Sequence, residues 1–227
     1  MKFLVTGAFQ CGKSQFIQAL DKNALNIASL DKNNWNCTVG MDIGSTRSNG
    51  LDITLFGTPG LLRFSTMRAI VAQGSDGVIF LFDGPNPEKD DASIQILNEI
   101  RHILGRNVPI VFAVNKGDDP ICRPVEVVRM QNCLGNQAII FKVSALTGEN
   151  IKVPIDELSH LVKQSLSPIV GQICIFEGDI TNLQKQMGKN DDEIMELLNA
   201  MELRGIIALD RINKSYKILE TAKFFTE

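Results

Sequence analysis

The chain has 227 residues, 44% hydrophobic and 22% charged, which is enough for one medium domain and a small second one. Its net charge of −3 gives no general attraction to nucleic acid or to anionic membranes. The five cysteines are odd in number and never in CxxC spacing, which predicts reduced thiols in the cytosol and argues against disulfides or a zinc site.

Membrane-targeting signals are not evident in the sequence. No apolar run approaches the roughly 20 residues of a membrane helix, and the start lacks the apolar core of a signal peptide. Lys2 and the final residues 224–227 encode neither myristoylation nor prenylation. We therefore expect no direct membrane anchor, and membrane contact only through a partner.

Residues 1–166 alternate short apolar runs with segments of helical spacing. The predicted strands are Phe3–Thr6, Ile53–Phe56, Gly77–Phe82, Pro109–Val114 and Ile139–Val143. The predicted helices are Ser14–Leu20, Ser65–Gln73, Ser93–Leu104, Pro124–Leu134 and about Ile151–Ser165. This alternation predicts an α/β fold with a doubly wound, mostly parallel sheet and helices on both faces. Val39–Ser45 and Leu51–Phe56 predict an antiparallel pair at one edge.

The pattern changes after Ser167-Pro168, which is expected to end the last of these helices. The elements predicted next are a helix at Ile180–Met187, a helix capped by Asp191 that ends at Leu203, and a hairpin of Ile206–Asp210 with Tyr216–Leu219. This order resembles a winged helix. We therefore predict two domains, 1–166 and 167–227, the second a small α+β module.

The charge of the second domain bears on its partners. Residues 167–227 hold ten acidic and seven basic residues, and the second helix begins Asp191-Asp192-Glu193. These carboxylates would repel phosphates where a reading helix meets DNA. We expect no nucleic-acid partner and favour a protein-binding module, with a small stabilising subdomain as the alternative.

The segment Gly7–Ser14 has the form GxxxxGKS, follows a predicted strand and opens a predicted helix. In that context it predicts a P-loop, the phosphate-binding loop of NTPases. Gly7 and Gly12 would let backbone N–H groups wrap the phosphates. Lys13 would reach the β- and γ-phosphates, and Ser14 would bind Mg²⁺.

Two later segments predict recognition of guanine. Asn115-Lys116-Gly117-Asp118 follows one predicted strand, and Ser144-Ala145-Leu146 ends another. Asp118 can accept hydrogen bonds from the ring N–H and amino group of guanine, a donor pair that adenine lacks. Asn115 would tie this loop to the P-loop, the Lys116 stem would cover the base, and the Ala145 N–H would serve the guanine carbonyl oxygen. The sequence therefore predicts GTP rather than ATP.

Three further segments resemble the Ras superfamily of small GTPases. They are Thr38–Asp42, Thr58-Pro59-Gly60 with Arg63-Phe64, and Ser144–Asn150. Leu55–Gly60 and Met41–Gly44 more narrowly resemble a bacterial and archaeal branch that tends to have LFGTPGQ where Ras and Rab proteins have DTAGQ. The resemblance covers about Met1–Ser165 and implies a small G domain that binds GTP or GDP with Mg²⁺.

The resemblance also implies residue roles. Thr38 would bind Mg²⁺ and the γ-phosphate, and the Gly60 N–H would meet the γ-phosphate as well. In such proteins the loss of both contacts on hydrolysis releases the switch segments. Lys13, Thr38 and Gly60 are thus the predicted catalytic residues.

Gly57 stands where the family has an aspartate linked to the magnesium shell. We expect Asp42 to substitute in part, because a β-hairpin would place its start beside the end of the next strand. The alternative for Asp42 is an exposed or edge-strand carboxylate. The predicted metal residues are Ser14, Thr38 and Asp42.

Leu61 stands where a water-positioning glutamine normally follows the glycine. Intrinsic hydrolysis by Ras-like proteins is already slow, on the order of 10⁻⁴ per second, so we expect weaker turnover here. Phe9 and Gln10 are bulky for a P-loop and would crowd an activator's arginine finger. Three arginines are candidates to act in cis, with surface or packing roles as the alternative: Arg47, Arg63 and Arg68.

The leading interpretation is a cytosolic small GTPase-type switch whose hydrolysis is slow or depends on an activator, and which signals to an unidentified effector. One alternative is a GTP-binding scaffold or sensor that does not turn over. The other is a nucleotide-responsive transcription regulator, which the acidic second domain argues against.

Overall fold

The computed structural model describes residues 1–26, 28–30, 36–38, 41–105, 107–176 and 178–226, with backbone alone at 28–30 and 36–38. The chain divides into two compact units, residues 1–159 and 160–227. Within the described ranges, no helix is both long and apolar enough to cross a membrane.

The first unit contains most of the regular structure. The strands are β1 Lys2–Gly7, β2 Ala28–Leu30, β3 Asn36–Thr38, β4 Asp42–Ser48, β5 Leu51–Gly57, β6 Gly77–Asp83, β7 Ile110–Asn115 and β8 Ile140–Lys142, followed in the second unit by β9 Ile207–Asp210 and β10 Ser215–Ile218. The helices are α1 Lys13–Leu20, α2 Ser65–Ala72, α3 Asp90–Leu104, α4 Val125–Gln131, α5 Val153–Ile175, α6 Ile180–Met187, α7 Asp191–Leu203 and α8 Lys223–Thr226.

Six strands form one sheet in the order β4-β5-β1-β6-β7-β8. All neighbouring pairs are parallel except β4 with β5, the predicted edge hairpin. The α/β prediction with a mostly parallel sheet is confirmed. The predicted hairpin began at Val39, but Val39 and Gly40 lie outside the described residues, and β4 begins at Asp42.

The sheet is covered on both faces. Val78, Phe80 and Phe82 belong to a buried cluster that α2, α3 and α4 complete. Side chains alternate along a strand, so Gly77, Ile79 and Leu81 face the other side. A Cβ at Gly77 would lie 2.7 Å from Leu158, so the first turns of α5, which belong to the first unit, cover that second face.

Helix α5 is longer than the sequence predicted. Pro168 lies inside it rather than ending it, so the predicted end near Ser165 is wrong, and the predicted domain boundary at 166/167 falls within the helix. An interior proline costs about 3 kcal/mol. Beyond it, Val170 and Ile173 are fully buried, and two such side chains contribute about 3–6 kcal/mol. Burial therefore outweighs the proline.

The second unit has the predicted order of helix, turn, helix and hairpin. The cap of α7 is Asn190, not Asp191 as predicted: Asn190 Oδ1 accepts from the Glu193 N–H at 2.9 Å, and Glu193 Oε2 accepts from the Asn190 N–H at 2.9 Å. This reciprocal pair satisfies two N–H groups where Asp191 could satisfy one. The Tyr216 hydroxyl of β10 lies 2.8 Å from the Ile173 carbonyl, which joins the hairpin to the end of α5.

Candidate nucleotide site

The P-loop lies between β1 and α1, at the carboxyl end of the parallel strands. Gly12 has a φ of 95°, and a Cβ there would lie 2.2 Å from Asn115 Nδ2, so both the backbone and the available space require glycine. Lys13 is 6% exposed, and its Nζ donates to the carbonyls of Gly7 at 3.1 Å and Ala8 at 2.7 Å. These bonds hold the ammonium inside the loop.

A cleft of about 610 Å³ opens beside this loop, within the usual size of small-molecule sites. Its lining joins the P-loop residues Phe9, Gln10 and Lys13 to Gly60 and Lys116. Gly60 packs directly on the loop, because a Cβ there would lie 2.5 Å from Lys13 Nζ and 2.7 Å from the Ala8 carbonyl oxygen. The fold thus brings three predicted motifs to one cleft.

Asn115 connects the base-recognition segments to the P-loop. Its Nδ2 donates to the Cys11 carbonyl at 2.9 Å, and its Oδ1 accepts from the Ala145 N–H at 2.9 Å. The Ala145 N–H, predicted to serve the guanine carbonyl, is therefore used within the protein. The cause is the orientation of the Asn115 amide, whose nitrogen faces Cys11 and whose oxygen faces Ala145.

Asp118 lies on the exposed side of the same loop. The buried Ser144 hydroxyl donates to Asp118 Oδ1 and so holds the carboxylate at the carboxyl edge of the sheet. Lys116 next to it has a φ of 65°, unusual for a residue with a side chain.

Lys116 contacts an acid that the sequence interpretation did not place in the site. Its Nζ lies 2.7 Å from Oδ2 of Asp83, which is fully buried at the end of β6. Burial acts to raise the pKa of Asp83, but hydrogen bonds from Lys116, Lys89 and Asn86 outweigh it and hold that pKa below its ordinary value. The sequence signal that could have pointed to Asp83 as a site residue is a charged residue at the end of an otherwise apolar strand.

Asp42 lies where the hairpin prediction placed it. It pairs with Gly57 in the β4–β5 register, is 1% exposed, and its Oδ2 accepts from the Ser14 hydroxyl at 2.8 Å. The alternative of an exposed carboxylate is therefore wrong, whereas its other form, a carboxylate on an edge strand, agrees with the position of Asp42 at the start of β4. Burial raises the pKa of Asp42, against the lowering effects of the Ser14 bond and the Lys13 charge.

These residues fit a magnesium ion by their chemistry. Mg²⁺ prefers oxygen ligands, and one or two carboxylates or hydroxyls with phosphates usually hold it. Asp42 Oδ1 is buried and has no hydrogen-bond partner in the described part of the chain. Such an oxygen beside the Ser14 hydroxyl is what a cation or its bound water would satisfy. The Thr38 side chain, also predicted to bind the metal, lies outside the described residues.

The three candidate arginines make other contacts. Arg47 pairs with Asp52 at 3.6 Å on the surface, and Arg63 stacks over the Phe64 ring at 5.0 Å. Arg68 is fully buried in α2, so the packing alternative holds for it.

Arg68 fixes the segment after Gly60. Its guanidinium donates to the carbonyls of Pro59 at 3.1 Å, Leu61 at 2.7 Å and Leu62 at 3.1 Å, and it pairs with Glu99 at 2.8 Å. The sequence offered packing as the alternative role of Arg68, but it gave no sign of which carbonyls the guanidinium meets.

Comparison with known proteins agrees with this fold. The Ras family model matches residues 2–164. Translation initiation factor IF-2 of Anoxybacillus flavithermus is 41% identical over 113 residues, 45% of this chain and 15% of that protein. The IF-2 of Persephonella marina is 28% identical over 188 residues, 74% of this chain and 20% of that protein. The chain spans a fifth or less of the length of these relatives. Since the family model covers most of the chain and the sheet has the order of a doubly wound G domain, the chain belongs to the Ras family of P-loop, GTP-binding proteins.

Proposed function

We propose that this protein is a GTP-dependent molecular switch whose hydrolysis is slow or depends on a partner. The proposal rests on the position of Asp42. Its carboxylate is buried, lies opposite Gly57 and accepts a hydrogen bond from the Ser14 hydroxyl. It supplies, from the neighbouring strand, the acid that Gly57 lacks. A chain that had lost its nucleotide function would have no evident need to bury that charge at this position.

Ser14, Thr38 and Asp42 would hold Mg²⁺, and the bound ion would neutralise charge on the phosphates during transfer. Lys13 keeps an ammonium at the phosphate end of the cleft. Gly60 lies close enough to the P-loop for its N–H to meet a γ-phosphate. GTP would thereby connect the β4–β5 hairpin to the segment after Gly60, and loss of the γ-phosphate would release that connection.

The chain lacks a side chain at position 61 that could assist hydrolysis of GTP. The Leu61 side chain has no polar atom with which to orient an attacking water. Its carbonyl is already bonded to Arg68. We therefore infer that GTP turns over slowly unless a partner supplies a water-positioning or charge-neutralising group.

Exchanging Leu61 for glutamine is expected to raise single-turnover GTP hydrolysis at least about tenfold, because a positioned polar group near the water contributes about 10²-fold or more when optimally placed. The measurement is phosphate release from preloaded protein with Mg²⁺. Leu62→Gln is the matched control, since Leu62 is the exposed neighbour and is expected to leave the rate unchanged.

A second candidate function is a GTP-binding scaffold that does not turn over. The Arg68 contacts favour it, because three fixed carbonyls hold the segment after Gly60 in one conformation. If Leu61→Gln gave no gain over Leu62→Gln, the scaffold would become the better proposal.

The finer placement of the chain is also a proposal. Leu55–Gly60 and Met41–Gly44 support the prokaryotic branch of small GTPases, with a G domain at 1–166 followed in sequence by a winged-helix-like module at 167–227. The exposed acids at the start of α7 favour a protein effector over nucleic acid. The matched segments make up only 15% and 20% of these IF-2 proteins, so a role in translation does not belong to the proposal.

A further inference from the structure

Two lysines share one buried carboxylate beside the nucleotide cleft. Asp83 Oδ2 lies 2.7 Å from Lys116 Nζ and 2.7 Å from Lys89 Nζ, while Asn86 Nδ2 donates to Asp83 Oδ1 at 2.8 Å. The Asp83 side chain is fully buried, and those of Lys116 and Lys89 are 34% and 22% exposed. Every acceptor oxygen of Asp83 therefore has a donor.

The two lysines differ in what else they touch. Lys116 lines the cleft beside the P-loop, and the proposed base position would lie against its stem. Lys89 ends the 3₁₀ turn Pro87–Lys89 that precedes α3. Among the described contacts, Asp83 is the charged partner of both lysines. Of the two, only Lys116 lines the cleft.

Lys116 needs an anchor because its backbone is strained. A φ of 65° is disfavoured for a residue with a Cβ and persists only where the surroundings fix it. The Gly117 N–H bonds the Val143 carbonyl at 2.8 Å and the Asp119 N–H bonds the Lys116 carbonyl at 3.1 Å. These bonds fix the main chain, whereas the Asp83 carboxylate fixes the ammonium.

Lys89 has a separate effect on the same acid. It makes a second ion pair with Asp83 Oδ2, so removing either lysine still leaves the buried carboxylate with a charged partner. The Arg123 guanidinium also holds the Asp83 main chain, through its carbonyl at 2.9 Å. Asp83 thus stays in place whichever lysine is removed.

We propose that Asp83 is a positioning residue for Lys116: it anchors the ammonium so that the lysine stem covers the base, and it thereby slows dissociation of bound guanine nucleotide. The inference rests on the proposed function, because it requires a nucleotide in this cleft. Lys89 satisfies the same carboxylate without positioning anything in the cleft.

The experiment measures dissociation of a fluorescent GDP analogue, chased with excess GDP, from the full chain and its variants. Lys116→Met keeps a stem of similar length but removes the ammonium, and is expected to speed dissociation about tenfold, the usual weight of a charge-assisted hydrogen bond. Asp83→Asn is expected to speed it to a similar extent. The double variant is expected to match the single variants, because both remove the same contact. Lys89→Met is the matched control and is expected to stay within about twofold of the parent chain.

Several results would overturn the inference. The first is nucleotide dissociation from Lys116→Met at the rate of the parent chain. The second is an additive increase of that rate in the double variant. The third is dissociation from Lys89→Met as fast as from Asp83→Asn, which would indicate a general loss of stability. Thermal unfolding with saturating GDP accompanies each variant. If Asp83→Asn fails to fold, the comparison of Lys116→Met with Lys89→Met still decides, since both positions are partly exposed. If the parent chain binds no guanine nucleotide, the proposed function fails instead.

Discussion

Exchanging Asp42 for asparagine is expected to shift the Mg²⁺ dependence of GTP binding to free ion concentrations about 10- to 100-fold higher. Asparagine keeps the shape and an acceptor for the Ser14 hydroxyl but removes the charge of the buried carboxylate that we propose binds Mg²⁺. Removing a side chain that supports a metal site typically weakens metal affinity by about 10- to 100-fold. The measurement is nucleotide dissociation at graded free Mg²⁺.

The carboxylate of this site can be moved from position 42 to position 57. A Cβ at Gly57 would lie 2.7 Å from Asp42 Oδ2, so Gly57→Asp alone is expected to destabilise the chain by a clash and by like charges. Combining it with Asp42→Gly returns one carboxylate to the site and is expected to restore much of the parental Mg²⁺ midpoint.

Asp52→Asn is the matched control for Asp42, because Asp52 lies in the same hairpin with its side chain 91% exposed. This variant is expected to leave the midpoint of the Mg²⁺ titration unchanged. A parental midpoint in Asp42→Asn, or an equal shift in Asp52→Asn, would contradict the assignment of Asp42 to the metal.

Replacing Arg68 with methionine is expected to lower the free energy of unfolding by about 3–5 kcal/mol, the usual loss when one partner of a buried ion pair is removed. Methionine has similar length but leaves three carbonyls and the Glu99 carboxylate without their donor. Urea unfolding of the GDP-bound chain measures the loss. Amide hydrogen exchange at residues 60–64 is expected to rise at the same time.

Glu99→Gln is the control for Arg68. It removes the negative charge but keeps an oxygen that can accept from the guanidinium, and the carbonyl bonds of Arg68 remain, so a loss of about 1–2 kcal/mol, smaller than that of Arg68→Met, and unchanged exchange at residues 60–64 are expected. Equal losses in both variants would mean that the ion pair, and not the contact with the segment after Gly60, is what Arg68 provides.

The sequence predicted the sheet well because apolar runs and helical spacing have a strong period. It also predicted that Asp42 faces Gly57, since hairpin pairing is a local consequence of the Asn49-Gly50 turn. It could not predict that Asp83 pairs with two lysines, because Lys116 meets it only after β6 and β7 pair, and Lys89 reaches it only through the conformation of the 3₁₀ turn after β6.

Two errors have different physical origins. Pro168 was expected to end α5, but fully buried Val170 beyond it stabilises a continued helix. Local rules give the cost of a proline, and tertiary burial decides whether the helix continues in spite of it. The cap of α7 is instead decided locally: Asn190 and Asp191 are both good caps, and the side chain of Glu193, three residues after Asn190, selects Asn190.

The central claim is that this cleft holds guanine nucleotide. The most direct measurement is the identity and amount of nucleotide released when the purified full chain is denatured, followed by titration of the emptied protein with GTP and ATP in Mg²⁺. The account predicts GDP or GTP in the denatured sample, and GTP binding that ATP does not compete away. A chain that releases no nucleotide and binds no GTP on titration would contradict it.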